Sequence, residues 1–247
     1  MNVDWHLRYQ QQSLWTRSLR HYLLQKVSIQ PTSNVLEVGC GTGAICSDLI
    51  EKFPCNIFGI DINLQSVEIA IRNTPKLIAA CCDANLLPFP SGFFEVVYCH
   101  YFLLWLANPL KVIAEIKRVL QTGGVFLVFA EPDHSARIDF PSELKSIGKL
   151  QVESLKMQGV DVQMGRKIPG LLSQSGFHNI QYGISGFESY SGSLPDWWES
   201  EWEVIRNDLE SMIFQDRLNH LQSFDKKCWN AGTRILFVPT FYAIGTK

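Results

Sequence analysis

Three glycines stand two apart in Gly39-Cys40-Gly41-Thr42-Gly43, with an acid, Glu37, just before them. Glycines at this spacing let a backbone turn tightly and approach a ligand with no Cβ in the way. If a helix follows, its first N–H groups and the positive end of its dipole face the same ligand. Two further acids come later, Asp61 beside Ile62 and Asp83 beside Ala84. A carboxylate at the first place can accept from two ribose hydroxyls, and one at the second from an adenine amino group. Gly39, Gly41 and Ala44 also fit the dinucleotide spacing G-x-G-x-x-A, so the turn alone leaves a nicotinamide cofactor open. Three groups could exchange a proton at the same edge: His100, Glu131 and His134.

The surrounding pattern is what would position them. Apolar runs at 34–38, 56–60, 77–81, 94–99 and 124–130 are bounded by Gly, Pro, Asp or Asn. They read as buried parallel strands, and the helical stripe of Leu110, Ile113, Ile116 and Leu120 lies between two of them. Alternating strands and helices predict an α/β, doubly wound, mainly parallel sheet. His100, Glu131 and His134 then follow the fourth and fifth strands, at the carboxyl edge where such sheets bind ligands. Trp15, Leu19, Tyr22 and Leu23 predict a helix before the first strand. Beyond residue 130 the expected elements are a helix at 168–175, a strand at 178–183 and a helix over about 195–221. That last helix carries Trp198, Trp202, Ile205, Leu209 and Met212 on one face, and Ser193 with Asp196 resembles a capping box at its start. A final strand is expected at 235–246, with Pro239 implying an edge position or a late start.

Composition narrows the partners. The 247 residues are 46% apolar and 19% charged, with a net charge of −2. The chain is long enough for a core without metals or disulfides, and it has no basic surplus for nucleic acid. Its seven cysteines form no Cys-x-x-Cys pair, so neither a disulfide framework nor a metal site is expected. No apolar stretch reaches the ~20 residues of a membrane span, and no signal-peptide plan opens the chain. The expectation is a soluble, cytoplasmic protein.

The ordered set resembles the class I S-adenosylmethionine-dependent methyltransferases, chiefly those acting on small molecules. The match runs from Val35 to about Asp133: Glu37-Val38-Gly39-Cys40-Gly41-Thr42-Gly43, then Asp61, Asp83, the strand Phe93-Phe94-Glu95-Val96-Val97-Tyr98-Cys99-His100, and Gly123-Gly124. Glu95 stands where the family commonly has Asp. The resemblance implies a Rossmann-like, seven-stranded sheet with an antiparallel last strand, in a single domain over 1–247. It implies S-adenosylmethionine as cofactor, bound by Glu37, Gly39, Cys40, Gly41 and Gly43, by Asp61 and Ile62, by Asp83 and Ala84, and near His100. It also implies an N-terminal helical cap (1–30) and a helical lid (186–232) over the acceptor, with Trp197 and Tyr190 as acceptor-side residues. His100-Tyr101-Phe102-Leu103 lacks the acidic/Asn-Pro-Pro-aromatic motif of DNA amino-methyltransferases, which favours a small acceptor. A protein or RNA methyltransferase, or a non-catalytic binding protein on the same fold, remains the alternative.

Overall fold

The computed structural model describes residues 4–186 and 192–247. Nine strands are present among them: β1 Asn34–Val38, β2 Asn56–Asp61, β3 Ile78–Cys81, β4 Phe94–His100, β5 Leu120–Pro132, β6 Ile138–Phe140, β7 His178–Ser185, β8 Ile235–Phe237 and β9 Thr240–Thr246. Seven of these form one sheet in the order β3-β2-β1-β4-β5-β9-β7. The first five run parallel, and β9 runs antiparallel to both neighbours, pairing Leu127 with Ile244 and Tyr182 with Ala243. This is the predicted Rossmann-like α/β sheet with its antiparallel last strand.

The crossovers are α3 Ala44–Lys52, α4 Leu64–Asn73, α5 Pro109–Val119 and α7 Met164–Gln174. α5 shows why they form where they do. Asn108 caps it by accepting from the Lys111 N–H, Pro109 fills the first turn, and Val112, Ile113 and Ile116 are buried on one face. Leu120 is not part of that stripe, because it caps α5 and begins β5. Successive residues of β1 point to opposite faces. Leu36 and Val38 join the α5 side, while Val35 packs with Leu23, Cys46 and Leu49 on the other.

The chain before β1 folds into two helices rather than one, α1 Trp5–Trp15 and α2 Arg17–Leu24, joined at Thr16. The helix expected over 195–221 is also two, α8 Trp198–Leu209 and α9 Gln215–Asn230. Leu218 and Leu221 turn back to bury against the cluster that holds Trp202, Ile205 and Leu209. The capping box does not close: the residue at the head of α8 is Trp197, with no side-chain cap. The strand expected over 235–246 divides at Val238-Pro239 into β8 and β9. Pro239 marks a late start, and β9 is interior to the sheet. β6, which pairs with β8, and the helix α6 Lys145–Met157 had no sequence signal. Together α6, α8, α9, β6 and β8 make a cap with its own core of Leu144, Ile147, Trp198, Trp202, Leu218 and Trp229. No helix of the described residues is long and apolar enough to cross a membrane.

Candidate cofactor and acceptor site

The site begins where β1 ends. Gly39, Gly41 and Gly43 all have positive φ, at +77°, +50° and +81°. At Gly39 a Cβ would stand 2.3 Å from the Phe102 ring, so only glycine fits there. The Gly39 and Cys40 N–H groups both donate to the Ile60 carbonyl, at 2.8 and 2.9 Å, which ties the turn to the end of β2. Asp61 closes the loop from the other side. Its Oδ2 accepts from the Gly41 N–H at 2.8 Å and its Oδ1 from the Asn63 N–H at 2.9 Å. Each oxygen keeps a second lone pair for a ligand. Asp83 is exposed at the end of β3 and accepts from both Asn85 nitrogens through Oδ1, bonds that hold its carboxyl below the usual range. Beside these acids Ile62 is open to solvent, and Ala84 and Cys40 are buried.

Glu37 is 2% exposed and points to the side of the sheet opposite Leu36 and Val38. Its Oε2 accepts from Cys46 Sγ at 2.8 Å and from the Tyr98 hydroxyl at 3.1 Å. Burial pushes its carboxyl up to about 7. α1 lies across the turn: His6 Nδ1 meets Thr42 Oγ1 at 2.8 Å, and the Tyr9 ring stands 3.5 Å from where a Gly41 Cβ would be. Burial, then the Asp61 charge, raises the Tyr9 phenol. A cleft of about 430 Å³ opens beside it, between His6, Gln10, Gly43, Ser47 and Asn73.

The three groups expected to exchange protons differ sharply in engagement. His100 Nε2 lies 2.9 Å from Thr16 Oγ1, which also receives Arg20 at 2.7 Å. Burial and the Arg20 charge lower the imidazole to about 3, so the ring is neutral. The Glu131 carboxylate is fully buried and accepts from the backbone N–H groups of Phe102, Leu103 and Leu104 at 2.8, 2.7 and 3.3 Å. It caps the short turn that carries Phe102 over Gly39, and burial raises it to about 7. The His134 ring, half-buried after β5, has no hydrogen bond among the described residues. Burial, then Arg137, lowers it to about 4.

On the acceptor side, Trp197 stands between Trp15 and Trp229, at ring-centroid distances of 5.9 and 5.6 Å. Trp198 and Trp202 point inward, and both donate their indole N–H to Asp225, at 2.6 and 2.9 Å. Tyr190 lies outside the described residues. Sequence spacing missed Phe102, Tyr9, His6 and Asp225. Each reaches its partner from a distant element, and no local pattern marks such a contact.

Residues 36–128 match the methyltransferase-domain family. A sterol 4-C-methyltransferase of Caenorhabditis elegans is 31% identical over 121 residues, 46% of this chain and 35% of that protein. A demethylmenaquinone methyltransferase of Renibacterium salmoninarum is 31% identical over 119 residues, 48% of this chain and 49% of that protein. The match thus spans less than half the length of either curated relative. Among solved structures, phosphoethanolamine N-methyltransferase 2 of Haemonchus contortus, in complex with phosphomonomethylethanolamine and S-adenosylhomocysteine, superposes with a TM-score of 0.59 at 16% identity. That superposition covers 94% of this chain and 53% of that one. The geranyl diphosphate C-methyltransferase of Streptomyces coelicolor A3(2) gives 0.57 at 13% identity, over 95% and 80%. These two show that the fold is shared.

Proposed function

We propose that this chain is a class I S-adenosylmethionine-dependent methyltransferase and that it transfers a methyl group from S-adenosylmethionine to a small-molecule acceptor. The observation that carries the proposal is the three-glycine turn pinned by Asp61 through the Gly41 N–H. The residues fit the cofactor: a cleft of about 430 Å³ opens beside the glycine turn, Asp61 keeps lone pairs for ribose hydroxyls, and Asp83 Oδ2 takes no hydrogen bond among the described residues. Glu37 would hold the cofactor's ammonium, with Cys40 and the glycine backbone along the same chain and Ile62 and Ala84 flanking the adenosine. When bound, S-adenosylmethionine supplies a methyl group already made electrophilic by a positive sulfur.

The chain's own work is to hold two reactants in line, and such positioning supplies ~7–11 kcal/mol of a barrier. A base is needed only for an acceptor that arrives protonated. His134 is then the group to provide it, since its ring is neutral and unengaged, while His100 is held by Thr16 and Glu131 by three N–H groups. The curated relatives named for a sterol and a quinone support a small acceptor. Residues 192–230 would form its lid, with α1 and α2 as the N-terminal cap. We place the protein in the cytoplasm, acting on a diffusible substrate.

Calorimetry tests the cofactor directly. S-adenosylmethionine and S-adenosylhomocysteine should bind in the low-micromolar range, and NADH should not. A folded sample that gives no heat with either sulfur compound sinks the proposal. The same titration carries a sharper expectation. Glu37 titrates at about 7, so near that pH about half the molecules hold its proton. A cofactor ammonium favours the carboxylate, so binding should release a fraction of a proton that is larger at pH 6 than at pH 8. The measured enthalpy should vary with the buffer's ionisation enthalpy in proportion to that release, and Glu37→Gln should abolish the dependence. Equal enthalpies in all buffers would remove Glu37 from the ammonium's place.

A further inference from the structure

The contact between α1 and the cap holds polar atoms that the fold leaves unpaired. Arg8, Gln11 and Trp15 recur at spacings of three and four on α1 and share one flank of it. Arg8 reaches Glu201 and Ser200 on α8 through its terminal nitrogens, and its guanidinium lies 4.7 Å from the Trp15 ring centroid. Trp15, Trp197 and Trp229 continue as a run of edge-on rings. Within this seam Arg8 Nε, Gln11 Oε1 and the Trp229 Nε1 donor are buried with no hydrogen-bond partner. Arg8 is 6% exposed and Trp229 3%. Native folds leave few such atoms, because each costs the desolvation of a hydrogen-bonding group. Three at one contact mark a place where a further molecule completes the bonding.

The seam also reaches the chemistry. The Arg8 charge acts on Tyr101 and the Glu201 charge on His134, the residues that follow β4 and β5 at the carboxyl edge of the sheet. On their other side Trp197, Trp229 and Glu201 line, with Trp198, Trp202 and Asp225, a cavity of about 10 Å³ inside the cap, room for roughly one water.

We propose that this seam binds the methyl acceptor, and that the acceptor is an uncharged, amphipathic ring compound with a hydroxyl or carbonyl oxygen. The inference rests on the methyltransfer reading and adds the substrate's chemistry to it. The aromatic rings offer faces to an apolar body. Trp229 Nε1 and Arg8 Nε offer donors to an oxygen, and Gln11 Oε1 an acceptor to a hydroxyl. Charge is excluded by pairing: Arg8 is held by Glu201, Arg137 by Asp139, and Arg234 by Asp139 and Asp225. An ionic ligand would lose its water and find no free counter-charge.

The experiment uses the whole chain saturated with S-adenosylhomocysteine, with tryptophan fluorescence as readout. The probes are 2-naphthol, 2-naphthoate and 2-naphthylmethylammonium, one size in three charge states. 2-Naphthol should bind at least about tenfold more tightly than either ion, a gap of roughly 1.4 kcal/mol. Gln11→Leu and Trp229→Phe should each weaken 2-naphthol by about fivefold or more and leave S-adenosylhomocysteine affinity unchanged. Gln11→Leu should also raise the melting temperature of the empty protein by about 2–4 °C, because it removes an unpaired buried acceptor. A merely structural glutamine would give the opposite shift. Equal or tighter binding of either ion, or full 2-naphthol binding in both variants, overturns the proposal. Failure of S-adenosylhomocysteine to bind at all would instead strike the methyltransfer reading.

Discussion

Asp225→Ala lowers the melting temperature by about 6–20 °C, the largest loss expected from a single substitution here. The carboxylate is 3% exposed and accepts three bonds, from Trp198 Nε1 at 2.6 Å, Trp202 Nε1 at 2.9 Å and Arg234 Nε at 2.6 Å. Truncation strands two buried indole donors and leaves Arg234 and Arg137 sharing Asp139 as their one remaining anion. Breaking a buried pair by removing one partner costs about 3–5 kcal/mol. In a chain of this size each kcal/mol moves the midpoint by about 2–4 °C. Asp225→Asn keeps one acceptor oxygen but turns an amide N–H toward donors, so it should fall between the variant and the wild type. Thermal scans of the three proteins by circular dichroism decide the matter. A midpoint within about 2 °C of wild type for the alanine variant would show that the cap does not depend on this anion.

Asp61→Ala should weaken S-adenosylhomocysteine binding by about ten- to a hundredfold. Charge-assisted hydrogen bonds to a ligand are worth roughly 1.5–3 kcal/mol, and each 1.4 kcal/mol is a factor of ten. The substitution also frees the Gly41 N–H, so the glycine turn loses the bond that sets it against β2. Asp61→Asn retains an acceptor for that N–H and should recover part of the affinity. Stability should change little, since the side chain is half-exposed at a strand end. Calorimetric titration of both variants, with a melting curve for each, separates the two effects. Wild-type affinity in Asp61→Ala would free this carboxylate from any ribose role.

These two residues also show what a sequence can and cannot display. Asp61 was legible because its partners are local to the pattern: a strand, a glycine turn and a second strand lie within 30 residues, and each has its own period. The parallel strands were legible for the same reason, whereas the antiparallel β9 was expected from the family resemblance alone, since its partner β5 lies more than 100 residues earlier. Asp225 was not, because its meaning comes from two indoles and a guanidinium on other elements. α6 was hidden for a different cause. It fully buries Ile147, Gly148, Gln151 and Ser154, so its deepest face carries one large apolar side chain, with Leu150 half-buried against the same cluster. Its packing is polar instead: Gln151 bonds Arg137, and Ser154 Oγ donates to the Asp208 carbonyl at 2.9 Å. A hydrophobic period cannot report a helix held that way. The proton-exchange candidates lie at the carboxyl ends of β4 and β5, as the sequence pattern has them, yet only hydrogen bonding distinguishes His134 from the engaged His100 and Glu131.

The position of β9 between β5 and β7 sets an order on the birth of the protein. As the chain leaves the ribosome, β1 to β5 can assemble while they are made, each new strand finding a neighbour already present. β7 cannot, because its place beside β5 belongs to a strand that follows the whole of α8, α9 and β8. Until residues 240–246 emerge, β5 has a bare outer edge and β7 has two, each a row of unpaired N–H and C=O groups open to other chains. That interval is when the nascent protein is most exposed to aggregation, and it is the stage at which a chaperone would matter most.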